Sequence, residues 1–154
     1  QHSTVRLQVM IQEKDLQPEQ LQLPPDGTIQ ASNPAHSKYF GAGWYRIEDI
    51  GGTPGRWANQ TVILRATLPH KDTSMSFVAS TYQSGQTVDV IVNDTFIDTL
   101  NINEIWGTYQ VTIPAAVLET RDIATIELKH SIAIYPENHN RQLATAYRDF
   151  TFTN

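Results

Sequence analysis

Hydrophobic and polar residues alternate over several short segments of this chain, as expected for strands that bury one face and expose the other. The first such segment covers residues 5–12 and has four apolar residues on one parity: Val5, Leu7, Val9 and Ile11. Later segments repeat the pattern and predict the following inward-facing residues: Val62, Leu64, Ala66, Leu68, Met75, Phe77, Ala79, Tyr109, Val111, Ile113, Ala124, Ile126, Leu128, His130, Phe150 and Phe152.

Turn-forming residues separate these segments. Pro69 and Pro114 end two of the predicted strands, because proline offers no backbone N–H to a β-ladder. Asn93 and Asp94 lie between two alternating runs, and both residue types tolerate the left-handed backbone region. Residues 88–100 therefore predict a tight hairpin that turns at this pair.

Three stretches interrupt the alternating pattern. Residues 13–30 are rich in glutamine and proline and predict a linker with at most one helical turn, near residues 18–21. Residues 115–120 could form another single turn, and residues 135–143 form a polar excursion. About eight short strands with almost no helix predict an all-β antiparallel sandwich, or jelly roll.

Residues 41–57 differ from the rest, because they combine large aromatics, opposite charges and glycines in the sequence GAGWYRIEDIGGTPGRW. The glycines permit positive φ and close backbone approach. We therefore expect a shaped loop with short extended pieces. Its side chains would either form a binding surface or lock one end of the β-fold.

Length and composition restrict the functional classes to which this chain could belong. The 154 residues, 40% of them hydrophobic, suffice for one domain with a substantial core, so we expect a single domain over residues 1–154. The chain starts at Gln1 without an apolar leader, which suggests excision from a larger protein. Eleven basic and sixteen acidic residues give a net charge of -5, which provides no electrostatic reason to bind nucleic acid. No cysteine is present for disulfide or thiolate chemistry, and no apolar run approaches the roughly 20 residues that cross a bilayer.

The sequence resembles the galactose-binding-domain-like jelly rolls, a superfamily that includes many carbohydrate-binding modules. More narrowly, it is similar to soluble domains appended to bacterial membrane glycosyltransferases. The resemblance rests on GWYRIEDIGGTPGRW at residues 43–57, on the hairpin VDVIVNDTFIDTL at residues 88–100, on the spacing of Trp106 and Tyr109, and on RDFTF at residues 148–152.

This resemblance implies a non-catalytic module that binds a glycan or polysaccharide, or that supports other domains of its parent chain. It implies an extracytoplasmic location, at the cell envelope or secreted, with the parent embedded in a membrane or acting on glycans. The competing interpretation is a structural or protein-interaction domain that docks on a parent glycosyltransferase.

The glycan interpretation points to six residues. A sugar site needs aromatic platforms for C–H faces and polar groups for hydroxyls. Platforms and polar partners could come from the following residues: Trp44, Tyr45, Glu48, Arg56, Trp57 and Trp106. In the alternative interpretation, Trp44 and Trp57 belong to the core and Glu48 pairs with Arg56 to brace the loop.

A second group of polar and aromatic residues lies in segments that a jelly roll could bring to one rim: Tyr82, Gln83, Trp106, Tyr135, Glu137, Asn138, His139 and Asn140. These suit a polyol but are equally ordinary as solvated loop residues. No cofactor is expected. The resemblance leaves open a structural calcium ion, with carboxylates from Asp26, Asp49 and Asp149.

Catalytic patterns are missing from the sequence. The five histidines show none of the spacings of a zinc site, and there is no nucleophile elbow or phosphate-binding loop. Glu48 and Asp49 would point to opposite sides of a strand, so they cannot act as the paired carboxylates of a glycosidase. We therefore expect no enzymatic activity from this domain, with a hydrolase or lyase as the least favoured alternative.

Overall fold

The computed structural model of the protein describes residues 16–137 and 140–154. This part of the chain is almost entirely β-structure. Its strands are β1 (Thr28–Gln30), β2 (Trp44–Ile50), β3 (Thr53–Ala58), β4 (Thr61–Ala66), β5 (Thr73–Thr81), β6 (Gln86–Val92), β7 (Thr95–Ile102), β8 (Gly107–Ile113), β9 (Ala124–His130) and β10 (Thr145–Thr153). Helical structure is limited to 3-10 turns at Pro18–Leu21 and Pro34–Tyr39 and to one α-helical turn, α1 (Ala115–Leu118).

The strands form two antiparallel sheets. The larger sheet has the order β2-β3-β10-β5-β8, with β1 pairing on β10 beyond the end of β3. The smaller sheet has the order β4-β9-β6-β7. The predicted all-β antiparallel sandwich is thus confirmed, with ten strands in the described residues where the pattern predicted about eight. No helix in these residues is long and apolar enough to span a membrane.

The core lies between the two sheets and is made by the alternating inward residues. The inward faces of β4, β5 and β9 carry the residues predicted from the pattern, and these are fully or almost fully buried: Val62, Leu64, Ala66, Met75, Phe77, Ala79, Ala124, Ile126, Leu128 and His130. Phe150 and Phe152 of β10 are also buried. Strand periodicity was therefore sufficient to identify core residues on both sheets.

The local turn predictions are also confirmed. Asn93 and Asp94 have φ values of 49° and 65°, and they join β6 to β7 as a tight hairpin. Asn93 stabilises it further, because its side chain donates to the carbonyl of Val117 and accepts from the N–H of Thr125. Single helical turns occur near residues 18–21 and 115–118. The predicted strand at residues 5–12 lies outside the described residues.

The expectation of a shaped loop at residues 41–57 is wrong. Most of this segment is a regular hairpin, in which β2 and β3 pair along the edge of the larger sheet. Gly51 and Gly52, both at positive φ, make its turn. Gly43 has φ 90°, and a Cβ there would lie 2.1 Å from the carbonyl oxygen of Thr61, so the chain can cross β4 closely only with glycine at this position.

A histidine and a tyrosine are hydrogen-bonded inside the core. The Nδ1 of His130 lies 2.8 Å from the carbonyl of Gln60, which can only accept, so Nδ1 carries the proton. Nε2 is then the acceptor for the hydroxyl of Tyr147, 2.7 Å away. Burial lowers the pKa of His130 from its usual 6.5 to about 4, and the bond to Gln60 only partly opposes this. The imidazole is therefore neutral at pH 7.

This pair predicts a loss of stability in mild acid. Between pH 6.5 and 4 the unfolded chain binds a proton at His130 and the folded chain does not, so the free energy of unfolding falls as the pH falls. The expected loss from this group is about 3 kcal/mol. Urea unfolding at pH 7 and pH 4, on the natural chain and on His130→Gln, measures it.

The natural chain should lose more stability than His130→Gln over this interval, although the variant starts from a lower value. Other titrating groups contribute equally to both proteins, so the difference isolates His130. His70→Gln, at an exposed position, is the matched control and should behave like the natural chain. Equal losses in the natural chain and His130→Gln would show that His130 is not held neutral.

Candidate functional site

A bulge in β2 decides which way the residues of the β2-β3 hairpin face. Trp44 pairs with Ala58 and Ile47 pairs with Arg56, so β2 uses three steps where β3 uses two. Ala58 and Arg56 lie two apart on β3 and share its inner face, so Trp44 and Ile47 also face inward. Glu48, the next residue, faces outward from the sandwich.

Trp44 packs into the edge of the core. Its ring makes edge contacts with Phe40, Tyr147 and Phe150, at centroid distances of 5.0, 5.3 and 6.1 Å. The indole Nε1 donates to the carbonyl of Ile63 at 2.8 Å, which satisfies the one polar atom of the side chain. The indole is half-buried, so part of its surface still reaches solvent.

Arg56 also faces inward and is only 8% exposed. Its Nε, Nη1 and Nη2 donate to the carbonyls of Ala31 and Tyr45 and to Oγ of Ser37, at 3.0, 3.3 and 2.8 Å. The guanidinium carbon lies 4.6 Å from the centroid of Phe40, and burial lowers the pKa of Arg56. These contacts tie the hairpin to the preceding 3-10 turn.

The expected pair between Glu48 and Arg56 is wrong, because the two side chains leave the sheet on opposite faces. Glu48 pairs instead with Arg141, through two parallel contacts of 2.7 Å. Arg141 also lies over the ring of Tyr45, at 4.9 Å, and the hydroxyl of Tyr45 donates to the carbonyl of Gln142. Hydrogen bonding to Glu48 raises the pKa of Arg141. This group clamps the chain before β10 onto the hairpin.

An open cleft of about 580 Å³ lies beside this clamp, lined by Trp44, Tyr45, Arg46, Glu48 and Arg141. Three of the six predicted site residues thus share one cleft. Its charged groups, including the exposed Arg46, could hydrogen-bond to a polyol, and its aromatic rings could contact the C–H groups. Ligand binding by these residues stays a prediction.

Two other predicted residues lie on the outer face of the larger sheet. Trp57 pairs with Ala146, and Ala146 pairs with Ser80 on the next strand. Trp106 comes directly before Gly107, which pairs with Ala79 beside Ser80, and its ring contacts the guanidinium of Arg148, so we place it at the end of this row. We call Trp57, Ala146, Ser80 and Trp106 the outer-face row. The row crosses four neighbouring strands, so the backbone atoms of its two tryptophans are about 14 Å apart.

Two further side chains lie beside the outer-face row and contact its indoles. Tyr82 is 42% exposed, and its ring contacts that of Trp57 at 5.9 Å. The guanidinium of Arg148 lies 5.5 Å from the ring centroid of Trp106. Tyr82 was among the predicted rim residues, whereas Arg141 and Arg148 were not singled out. Arg148 was quoted only as the first residue of RDFTF, and no motif marks Arg141, because each arginine meets its partner only after the sheet has formed.

Most of the remaining predicted rim residues are exposed to solvent. Tyr135 is 65% exposed, and Gln83, Glu137 and Asn140 are exposed, so all four are available to solvent. Asn138 and His139 lie outside the described residues.

Neither metal binding nor acid–base chemistry is indicated by the described side chains. Within residues 16–137 and 140–154, no three His, Cys, Asp or Glu side chains converge as metal ligands, so Asp26, Asp49 and Asp149 form no such group. Asp26 instead accepts a hydrogen bond from the N–H of Thr28. Among the described residues that line the cleft, Glu48 is the only carboxylate.

Comparison with known proteins connects this architecture to a group of solved structures. A β-1,3-glucan-binding family 6 carbohydrate-binding module from Bacillus halodurans has a TM-score of 0.54 and 14% identity, covering 86% of this chain and 99% of that chain. A family 35 carbohydrate-binding module from an environmental isolate has a TM-score of 0.53 and 16% identity, covering 82% and 92%. The fold is a jelly roll like that of carbohydrate-binding modules.

A third similar structure is the C-terminal family 6 module of a marine laminarinase from Zobellia galactanivorans, with a TM-score of 0.50 and 10% identity, covering 82% of this chain and 98% of that chain. No protein-family model and no curated protein sequence matches this chain. Identities this low show a shared fold. The resemblance to carbohydrate-binding modules is confirmed as a similarity of fold, and the galactose-binding superfamily and the glycosyltransferase connection stay predictions.

The clamp at the cleft can be tested by a double-mutant cycle on Glu48→Gln and Arg141→Gln. We expect a coupling free energy of about 1–2 kcal/mol, because the two contacts are parallel and both side chains are about three-quarters buried. Chemical unfolding of the four proteins at pH 7 measures it. The exposed pair of Arg121 and Asp94 is the control cycle, and its coupling should be smaller. Equal couplings would mean that the clamp does not hold the cleft together.

Proposed function

We propose that this chain is a non-catalytic carbohydrate-binding domain that holds a glycan on the outer face and β2 edge of its larger sheet. The observation that carries the proposal is the distribution of the predicted residues. Tyr45, Glu48, Trp57 and Trp106 all face away from the core, although they come from β2, β3 and the start of β8.

The chemistry of this surface suits sugars. Indole and phenol rings provide flat apolar faces for sugar C–H groups, and guanidinium and carboxylate groups can bond to hydroxyls. Trp57 and Trp106 are half-buried, so each ring is braced by the sheet and still reaches solvent. A braced ring loses little conformational entropy when a ligand binds.

Similar folds support the same function. Solved structures with this jelly roll include a module described as binding β-1,3-glucan, which provides a precedent for a non-catalytic role. Such binding is weak, with dissociation constants of about micromolar to millimolar, and a parent chain raises the effective concentration of the ligand. The proposal therefore includes a parent protein that acts on or displays glycans outside the cytoplasm. Attachment to a membrane glycosyltransferase rests on sequence resemblance alone.

Protein docking is the second candidate function, because Ile105 next to Trp106 is 77% exposed. A large exposed apolar side chain beside an aromatic ring is a feature of protein contact sites. A partner protein would cover Ile105, whereas a sugar chain stacked on Trp106 would not need it. Ile105→Ser therefore separates the two functions.

Glycan binding is tested by truncating the outward indoles. Trp57→Ala and Trp106→Ala should each weaken binding about tenfold or more, since an aromatic anchor in contact with ligand contributes more than about 1 kcal/mol. Glycan arrays followed by calorimetric titration of the positive polysaccharides measure the change. Phe96→Ala, at a 59% exposed aromatic on β7 of the other sheet, is the matched control and should bind normally.

The outcome that would contradict the proposal is specific. If the natural chain binds no glycan on the array, and both tryptophan variants differ from it only in melting temperature, the two indoles have a structural role. If Ile105→Ser abolishes capture of a parent or partner protein while glycan binding is absent, docking is the function.

A further inference from the structure

The outer-face row is an open surface, which limits the part of a glycan that it can bind. Ala146 faces outward and is fully covered by neighbouring side chains, so the middle of the row is filled and forms no pocket. Ser80 beside it directs its hydroxyl to the carbonyl of Glu104, at 2.7 Å. A site for one terminal sugar would enclose most of that sugar. This surface offers no such enclosure and suits the side of a longer chain.

The spacing of the row suits an extended ligand that runs across the strands. Trp57 and Trp106 are separated by three strand spacings, about 14 Å at the backbone. One sugar ring is much smaller than this backbone separation. A linear chain lying perpendicular to the strands can place one sugar on each indole and at least one between them.

The charge of the surface indicates the class of chain. Arg148 lies against Trp106, and no carboxylate of the described residues forms an ion pair with it, its neighbour Asp149 included. Arg46 at the cleft likewise has no carboxylate partner among the described residues. Two such cations beside aromatic platforms complement a ligand with negative charge.

We propose that the outer-face row binds an internal segment of a linear acidic polysaccharide, with sugars stacked on Trp57 and Trp106 and a carboxylate on Arg148. This rests on the proposed function and adds to it the ligand class, the direction of the chain and the residue that selects charge. We assign the carboxylate to Arg148 because its planar guanidinium can donate two parallel hydrogen bonds to a carboxylate, whereas a side-chain amide suits a hydroxyl.

The test uses acidic polysaccharides of three backbone stereochemistries: galacturonan, alginate and hyaluronan. Each is compared with its own carboxyl-reduced, neutral counterpart, so chain shape is kept and charge is removed. Calorimetric titration of the full chain should show at least one acidic polymer that binds about tenfold more tightly than its reduced form, as a charge-assisted hydrogen bond predicts. Rising salt should narrow that difference.

Variants assign the selectivity to one residue. Arg148→Gln keeps much of the side-chain length and removes the charge, so it should bind the acidic polymer no better than its reduced form. Arg121→Gln is the matched control, since Arg121 pairs with Asp94 at the β6-β7 hairpin of the other sheet. It should retain the full preference for the acidic polymer.

Chain length tests the direction of binding. Oligomers of the acidic polymer that binds should gain affinity until they reach both indoles, at about three to four sugars, and then level off. Trp57→Ala should remove the gain for the longer oligomers and leave the shorter ones unchanged.

Each contrary result is distinct. If the reduced polymers bind as tightly as all three acidic polymers, the charge assignment to Arg148 is overturned. The proposed function is then unaffected. A monosaccharide that binds as tightly as a long oligomer overturns the extended site. No binding of any polymer, acidic or neutral, removes both this inference and the proposed function.

Discussion

The structure depends on how β10 buries its aromatic rings at the centre of the larger sheet. Tyr147 and Phe150 are fully buried and stack 5.5 Å apart, and each also contacts Phe77 and Trp44. Strand β10 pairs with β5 on one side and with β1 and β3 on the other, so its position determines that of every neighbour. Burial of these rings therefore sets which residues are left for the outer face.

Two β-bulges allow the strands to bury these aromatic rings. On β10, Tyr147 and Phe150 are three residues apart, yet their partners on β5 are two apart, so both rings face inward. On β2, the same extra residue brings Trp44 inward to meet them. A bulge reverses the parity of the residues beyond it. It thereby sends Arg148 and Glu48 outward, where they contact Trp106 and Arg141.

The polar contacts around this core make the outer surface rigid. Arg56 ties the hairpin to the chain before it from the inside, and Arg141 ties it to the chain before β10 from the outside. Tyr45 on β2 and Trp57 on the adjoining β3 are consequently supported by a braced hairpin. Weak ligands such as sugars benefit from a surface that is ordered before they arrive, because little entropy is then lost on binding.

The sequence alone determined the fold class and much of the core, because strand alternation is a local property that each segment carries by itself. The inward residues of β4, β5 and β9 and the Asn93-Asp94 turn were all predicted in this way. It could not determine how residues 41–57 fold, since glycines and aromatics in one segment suit a loop as well as an edge hairpin. Nor could it reveal that Arg141, 93 residues away, would replace Arg56 as the partner of Glu48.

Only the tertiary structure decided that Trp44 faces the core and Trp57 and Trp106 face outward. For Trp44 the physical reason is that a bulge shifts parity by one residue where the packing of rings on a neighbouring strand requires it, and no segment records that requirement on its own. Trp57 and Trp106 face outward because their neighbours Arg56 and Gly107 pair with inward-facing residues of adjacent strands.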